Sequence, residues 1–410
     1  MPDPIPRYPC WTGRQQAALR QAVAQGAASP EWVCSLSGEG PVREFEEALA
    51  RFLGGGYVIA TNAGETALQL CLAALGIGTG HEVIVSPYVW GQVAAAVVYA
   101  GATPVFADIE NETANLDPDA VVAAITPRST AILVSHFAGH PADMTRLGEL
   151  AERHNLAIVE DCAQSLGGDW LTIPTGRWGH IACFSFGWRK PLCAGEGGAI
   201  YTSRRDLFER ALALGQHPDR ILKELGPERS VDHASGIGHS FRMHPLAAAA
   251  GLADLPRLQR NLDRQRARHR LFSSLCAGLM SAEVAAEKPG ARSACHAALV
   301  TYRSDAAQSV SRPTYVAALR AEGVPIGIGP IGRPLHLHPF FATSPAAGRV
   351  GTHPVAEKRC AHEEVSLQSG TSWRNASDTY VRRLADAFAK VDEHLEDLTH
   401  VSHEAACGVA

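Results

Sequence analysis

The stretch "DMTRLGELAERHNLAIVED" (143–161) decides the fold: its first half has helical apolar spacing, and its second half is a short apolar run ending in Glu160 and Asp161. A helix feeding a buried strand is one beat of a repeating pattern. Outward from it, "TAILVSH" (130–136), "TPVFAD" (103–108), "EVIVSP" (82–87) and "YVIAT" (57–61) read as further strands, separated by helical segments such as "ETALQLCLAALGIG" (65–78). Strands of this apolar kind, joined by helical crossovers, form a mostly parallel sheet covered by helices on both faces. The fold class is therefore α/β.

Ahead of this region, "TGRQQAALRQAVAQG" (12–26) and "PVREFEEALARFLGGG" (41–56) read as helices, the first started by Thr12 or Gly13 and stopped by Gly26. Beyond it, "HPLAAAAGLADLPRLQRNLDRQRARHRLF" (244–272) reads as one long charged helix. It leads to a strand near "AALVTYR" (297–303) and helices near "PTYVAALRAEG" (313–323) and "DTYVRRLADAFAKVDEHLEDL" (378–398). The expected organisation is an N-terminal arm and helix (1–40), a large α/β domain (41–250), a smaller α+β domain (251–400) and a frayed tail (401–410).

Composition narrows the function classes. The 410 residues carry 37 Lys plus Arg against 42 Asp plus Glu, a formal charge of -5, which offers no general attraction to nucleic acid or an acidic membrane. The ten cysteines show neither a C-x-x-C pair nor a zinc-like Cys/His cluster, so they read as reduced thiols. The start "MPDPIPRYPCW" (1–11) places prolines where a secretory peptide has its apolar run, and no uncharged stretch of about 18 apolar residues follows. A soluble cytoplasmic protein is expected.

In an open α/β sheet the ligand crevice lies beyond the carboxyl ends of the strands. Two chemistry-bearing strand ends stand out: Asp161, and Ser185 at the end of "HIACFSF" (180–186), five residues before Lys190. Lys190 sits between that strand and the glycine-rich turn "GEGG" (195–198). Taken alone, such a lysine is more often a solvated loop residue. Its setting suits covalent chemistry: an amine serves catalysis by forming a Schiff base, most often with pyridoxal phosphate. That cofactor needs a carboxylate for its pyridine nitrogen, N–H groups and hydroxyls for its phosphate, and a flat neighbour for its ring. Asp161, Ser185 and Trp90 are candidates for these tasks, with Tyr88 competing as the flat neighbour. The bland alternatives are a helix cap for Asp161, a strand closure for Ser185 and a core aromatic for Trp90. A phosphate cup is expected at "ATNAGETALQL" (60–70), where Asn62 and Glu65 have the spacing of a capping box.

The ordered set "EDCAQSLGG" (160–168), "GRWGHIACFSF" (176–186), Lys190 and "GEGG" resembles the DegT/DnrJ/EryC1/StrS aminotransferases, fold-type-I pyridoxal phosphate enzymes acting on keto sugars and ketocyclitols. The likeness extends through "VREFEEALARFLG" (42–54), "AGETAL" (63–68), "PYVWGQVAAAVVYAGATPVFADI" (87–109), "NLDPDAV" (115–121), "GHPADM" (139–144), "GHSFRMHPLAAAAGLADL" (238–255) and "GRPLHLHPFF" (332–341). The resemblance implies Lys190 as the Schiff-base lysine, Asp161 on the pyridine nitrogen and Gln164 near the ring's phenolic oxygen. It implies Ser185, Gly64 and residue 65 on the phosphate, Trp90 stacked on the ring, and a homodimer in which "GHSFR", with Ser240, reaches the neighbour's site. Arg333 and His336, with Tyr88, are candidates for the acceptor pocket.

Three positions depart from the family pattern. Glu65 stands where Thr is usual, Ser240 where Asn is usual, and Leu166 where His is usual. The reaction implied is transfer of an amino group from glutamate or glutamine to a ketocyclitol or keto sugar, as in amino-sugar, aminocyclitol and antibiotic biosynthesis. The departures keep two alternatives open: elimination or carbon-bond chemistry on the same cofactor, and a non-catalytic relative.

Overall fold

A computed structural model of the chain describes residues 11–230, 238–303, 305–307, 310–329, 331–341, 349–367 and 370–399. The expected tail, 401–410, lies outside the described residues.

Seven strands form the central sheet: β1 (Tyr57–Thr61), β2 (Glu82–Val85), β3 (Thr103–Phe106), β4 (Ser129–Ser135), β5 (Ala157–Asp161), β6 (Ile181–Ser185) and β7 (Gly198–Thr202). Their order is β1-β7-β6-β5-β4-β2-β3. Only β7 runs antiparallel to its neighbours; the other pairs are parallel. Five strands therefore deliver their carboxyl ends to one edge together with the end of β1.

The opening stretch shows how the chain makes each unit. Asp143 caps the helix Met144–Arg153 by accepting from the Arg146 N–H at 3.1 Å. The helix ends where Asn155 takes a left-handed φ of 53° and the Leu156 N–H closes on the Ala151 carbonyl at 2.8 Å. Asn tolerates that conformation better than most residues, and the chain emerges extended as β5.

Side chains of adjacent strand residues leave opposite faces. Val83, Val85, Leu133, Val159 and Ile181 join the core under the helices Gly64–Ala74, Gly91–Tyr99 and Arg205–Gly215. Ile84, Ile132, Val134 and Ile158 enter the opposite core, against the helix Met144–Arg153. Both faces are buried, which is why these strands lack a polar alternation.

A second sheet of four short antiparallel strands, β8 (Ala282–Val284), β9 (Leu299–Tyr302), β10 (Ile326–Ile328) and β11 (Glu364–Leu367), has the order β8-β9-β11-β10. It packs with Phe272, Tyr315 and Phe388 into a separate apolar core. The expected single helix over 244–272 is two helices, Pro245–Asp254 and Leu258–Leu275, joined by a tight turn Leu255–Arg257. Pro256 accounts for the break, since it has no N–H to donate to the preceding turn and its ring crowds that turn's carbonyl, while Leu255 before it keeps helical angles. Among the described residues no helix is long and apolar enough to cross a membrane, and no disulfide joins two of the described cysteines.

Candidate active site

The carboxyl edge of the central sheet and one face of the second sheet enclose a cavity of about 930 Å³. Gly64, Glu65, Trp90, Asp161, Gln164, Ser185 and Lys190 all line it. They come from four different strand ends and the loop after β6, so the topology, not nearness in sequence, brings them together.

Alternation along β5 decides which acid enters. Glu160 turns to the buried side, where it accepts from the Gly176 N–H at 2.8 Å and lies 3.0 Å from His136 Nε2. His136 Nδ1 accepts from the Ala142 N–H at 3.1 Å, so Nε2 carries the proton donated to Glu160. Asp161 turns to the cavity, where its carboxylate accepts from Ser135 Oγ at 2.9 Å and from the Ala163 N–H at 3.0 Å. Cys183 Sγ lies 3.7 Å away on the neighbouring strand. Gln164 is fixed by accepting from the Ala138 N–H at 2.7 Å through Oε1, which leaves its amide group to donate.

Lys190 is carried on a tight loop. Its N–H bonds the Gly187 carbonyl at 2.9 Å, and the Phe186 N–H bonds the Gly197 carbonyl at 2.8 Å, closing the loop base just before β7. Gly195 and Gly197 have φ of 89° and 142°, a backbone that side-chain-bearing residues rarely adopt. Desolvation lowers the amine's pKa from its usual value, opposed by the charges of Asp161 and Glu65. A lowered pKa leaves more of the nucleophilic free amine. His296, from the second sheet's approach, is pushed down to about 3 by burial, Lys190 and Arg189, so it lines the cavity as a neutral ring.

The residues present fit pyridoxal phosphate. At the phosphate end, the helix Gly64–Ala74 begins at Ala63 without a side-chain cap, leaving its first-turn N–H groups for an anion. The expected capping box at Asn62 and Glu65 is absent: the helix starts one residue later, and Asn62 Oδ1 accepts from Thr66 Oγ1 at 2.9 Å instead. A Cβ at Gly64 would stand 2.7 Å from Ser185 Cβ, so glycine permits the close approach that shapes the cup. Asp161 supplies a fixed carboxylate, Gln164 a donor, and Trp90 a ring that is 54% exposed beside them.

Three expected site residues lie elsewhere, and Ser240, expected in the neighbour's site, lies outside this chain's own cavity. Tyr88 is buried, its ring 5.0 Å from that of Phe137 and under the Arg359 guanidinium. The bends at 87–89 turn its side chain into the core and leave that of Trp90 exposed. His336 is buried too, with Nε2 3.0 Å from Glu357 and its ring against His353. Arg333 is exposed and does not line the cavity. Ser240 is exposed, accepting from Arg242 Nε at 2.7 Å, in a segment where Arg242 pairs with Thr61 at the end of β1. Leu166 and Cys162 are buried apolar packing.

Other cavity residues escaped the sequence reading. Ser135 closes β4 as Asp161 closes β5, and the same strand-end rule would have found it. His296, Arg320 and Glu364 come from the second sheet and its surroundings, and nothing local in sequence marks them.

Comparison with known proteins places the chain among aminotransferases. A GDP-perosamine synthase of Caulobacter vibrioides is 40% identical over 220 residues, 53% of this chain and 57% of that relative. An L-glutamine:2-deoxy-scyllo-inosose aminotransferase of Streptomyces kanamyceticus is 31% identical over 413 residues, 94% of each chain. The crystal structure of S. venezuelae DesV superposes with a TM-score of 0.80 at 31% identity, covering 95% of this chain and 99% of that one. The fold is that of the fold-type-I pyridoxal phosphate aminotransferases. With residues 15–385 matching its family model, the chain belongs to the DegT/DnrJ/EryC1/StrS aminotransferase family.

Proposed function

We propose that the protein transfers an amino group from glutamate or glutamine to a ketone carbon of a cyclitol or sugar, with pyridoxal phosphate as cofactor. The observation that carries this reading is the convergence of Lys190, Asp161, Gln164, Ser185 and the uncapped helix start at Gly64 on one cavity. When bound, the cofactor supplies an electron sink that makes the substrate's amine-bearing carbon acidic.

Asp161, held by Ser135 and Ala163, keeps the pyridine nitrogen protonated. Gln164 orients the ring through its amide, and Ser185 with the first-turn N–H groups binds the phosphate. Trp90 would offer its exposed ring as the cofactor's flat neighbour. Lys190 would hold the cofactor through its aldehyde, and its free amine would take a proton from the substrate carbon and return one as general base and acid. Burial lowers the amine's pKa from its usual value, which favours that task. A lysine at this position favours transamination over the dehydration reading, which the family associates with histidine there. The working unit is a homodimer in which Ser240 and its neighbours meet the partner's cavity.

The test is a pair of half-reactions. Protein reconstituted with pyridoxal phosphate should absorb in the visible, lose that band on borohydride reduction, and bleach on addition of glutamine or glutamate. The bleached protein should then aminate a ketocyclitol or keto sugar with nitrogen from labelled donor. Donor-driven bleaching without label in any ketone would overturn transamination.

A further inference from the structure

Among the charged cavity residues the mechanism leaves unused, Glu65 is the one on the helix start that would receive the phosphate. Glu65 is exposed on the first turn of the helix Gly64–Ala74 and lines the cavity beside Gly64 and Ser185. It is the acid of that turn, and the turn has no side-chain cap to share the work of balancing its N–H groups. A helix start stabilises nearby negative charge, and an acid in the first turn already draws on that field. A phosphate arriving at the same helix start, with about two negative charges at neutral pH, competes with Glu65 for it and is repelled by it. Two cavity cations of this chain have other partners as well. Arg189 lies over the Trp188 ring at 4.5 Å, and Lys190 is shared with Asp161.

Resting on the cofactor reading, we propose that Glu65 weakens the hold on the cofactor's phosphate, so that the protein binds pyridoxal phosphate reversibly where a neutral side chain would retain it. The penalty belongs to the phosphate and not to the aldehyde. It should therefore separate pyridoxal phosphate from pyridoxal, which carries the same ring and aldehyde without the anion.

The experiment titrates the full-length, cofactor-free protein and its Glu65→Gln variant with each ligand, following tryptophan fluorescence and checking by equilibrium dialysis. Glu65→Gln should tighten pyridoxal phosphate about tenfold, the size expected for one carboxylate acting on a phosphate across a partly solvated gap. It should change pyridoxal less than about twofold. Glu65→Thr should behave like the glutamine variant, and higher salt should shrink the difference. Equal affinity of the two proteins for pyridoxal phosphate, or an equal gain for both ligands, would overturn the role of Glu65 alone. Failure of pyridoxal phosphate to bind either protein would overturn the cofactor reading, and this inference with it.

Discussion

Glu364 shows what burial does to a single group at this site. It begins β11, lines the cavity, and has its carboxyl pushed up from 4.5 to about 7, first by desolvation and against the pull of Tyr88, Arg359 and Arg312. A carboxyl whose folded pKa is raised binds a proton more tightly in the folded state. Its contribution to stability is then present below pH 4.5 and lost as pH rises through about 7. Glu364→Gln removes the titrating proton while keeping an acceptor for the neighbouring arginines. The variant should therefore lose less stability than the parent between pH 5 and 8, measured by urea unfolding at several pH values; parallel curves would refute the assignment. At this scale the sequence was legible only where chain position fixes direction. Asp161 and Ser185 were found because they close strands. Whether Tyr88 or Trp90 faces the ligand turns on which way a side chain leaves a loop, and His336 differs from a pocket residue only by its bond to Glu357.

The cup for the phosphate is a junction between elements, and glycine is what lets them meet. A Cβ at Gly198, the first residue of β7, would stand 2.3 Å from the Ala63 carbonyl oxygen. The obstacle is backbone, which cannot rotate aside. Gly198→Ala should push β7 away from the helix start at Gly64 and cost about 1–3 kcal/mol, as overpacking does. The expected result is a lower urea midpoint together with weaker binding of pyridoxal phosphate; an unchanged midpoint would mean that the junction yields freely. Long apolar strands and capped helices of the large sheet were readable because burial on both faces demands continuous apolar runs. The three-residue strands β8 and β10 were not, since so few residues carry no period. The break at Pro256 was readable in principle, as proline's missing N–H donor is a local property, but the apolar pattern continues across it.

At the scale of the whole molecule, the central question is whether one chain suffices. Trp90 and Trp188 stand 54% and 43% exposed around the cavity, and the segment Ser240–Arg242 lies at the end of β1 with Ser240 exposed. Large exposed aromatics beside a binding cavity suit an interface. In the proposed homodimer, a cavity uses Lys190 of one subunit and Arg242 of its partner. Lys190→Ala and Arg242→Ala should each inactivate the protein alone. After mixing in equal amounts with subunit exchange, half of the dimers are mixed, and each mixed dimer carries one cavity with both residues intact. Activity should recover to roughly a quarter of the parent's, because a two-fold assembly distributes two defects over two sites. Sedimentation should give a dimer for both variants, and mass spectrometry should confirm exchange. Exchange without recovered activity would mean that Arg242 serves its own chain, and the dimer would then be unnecessary to the chemistry.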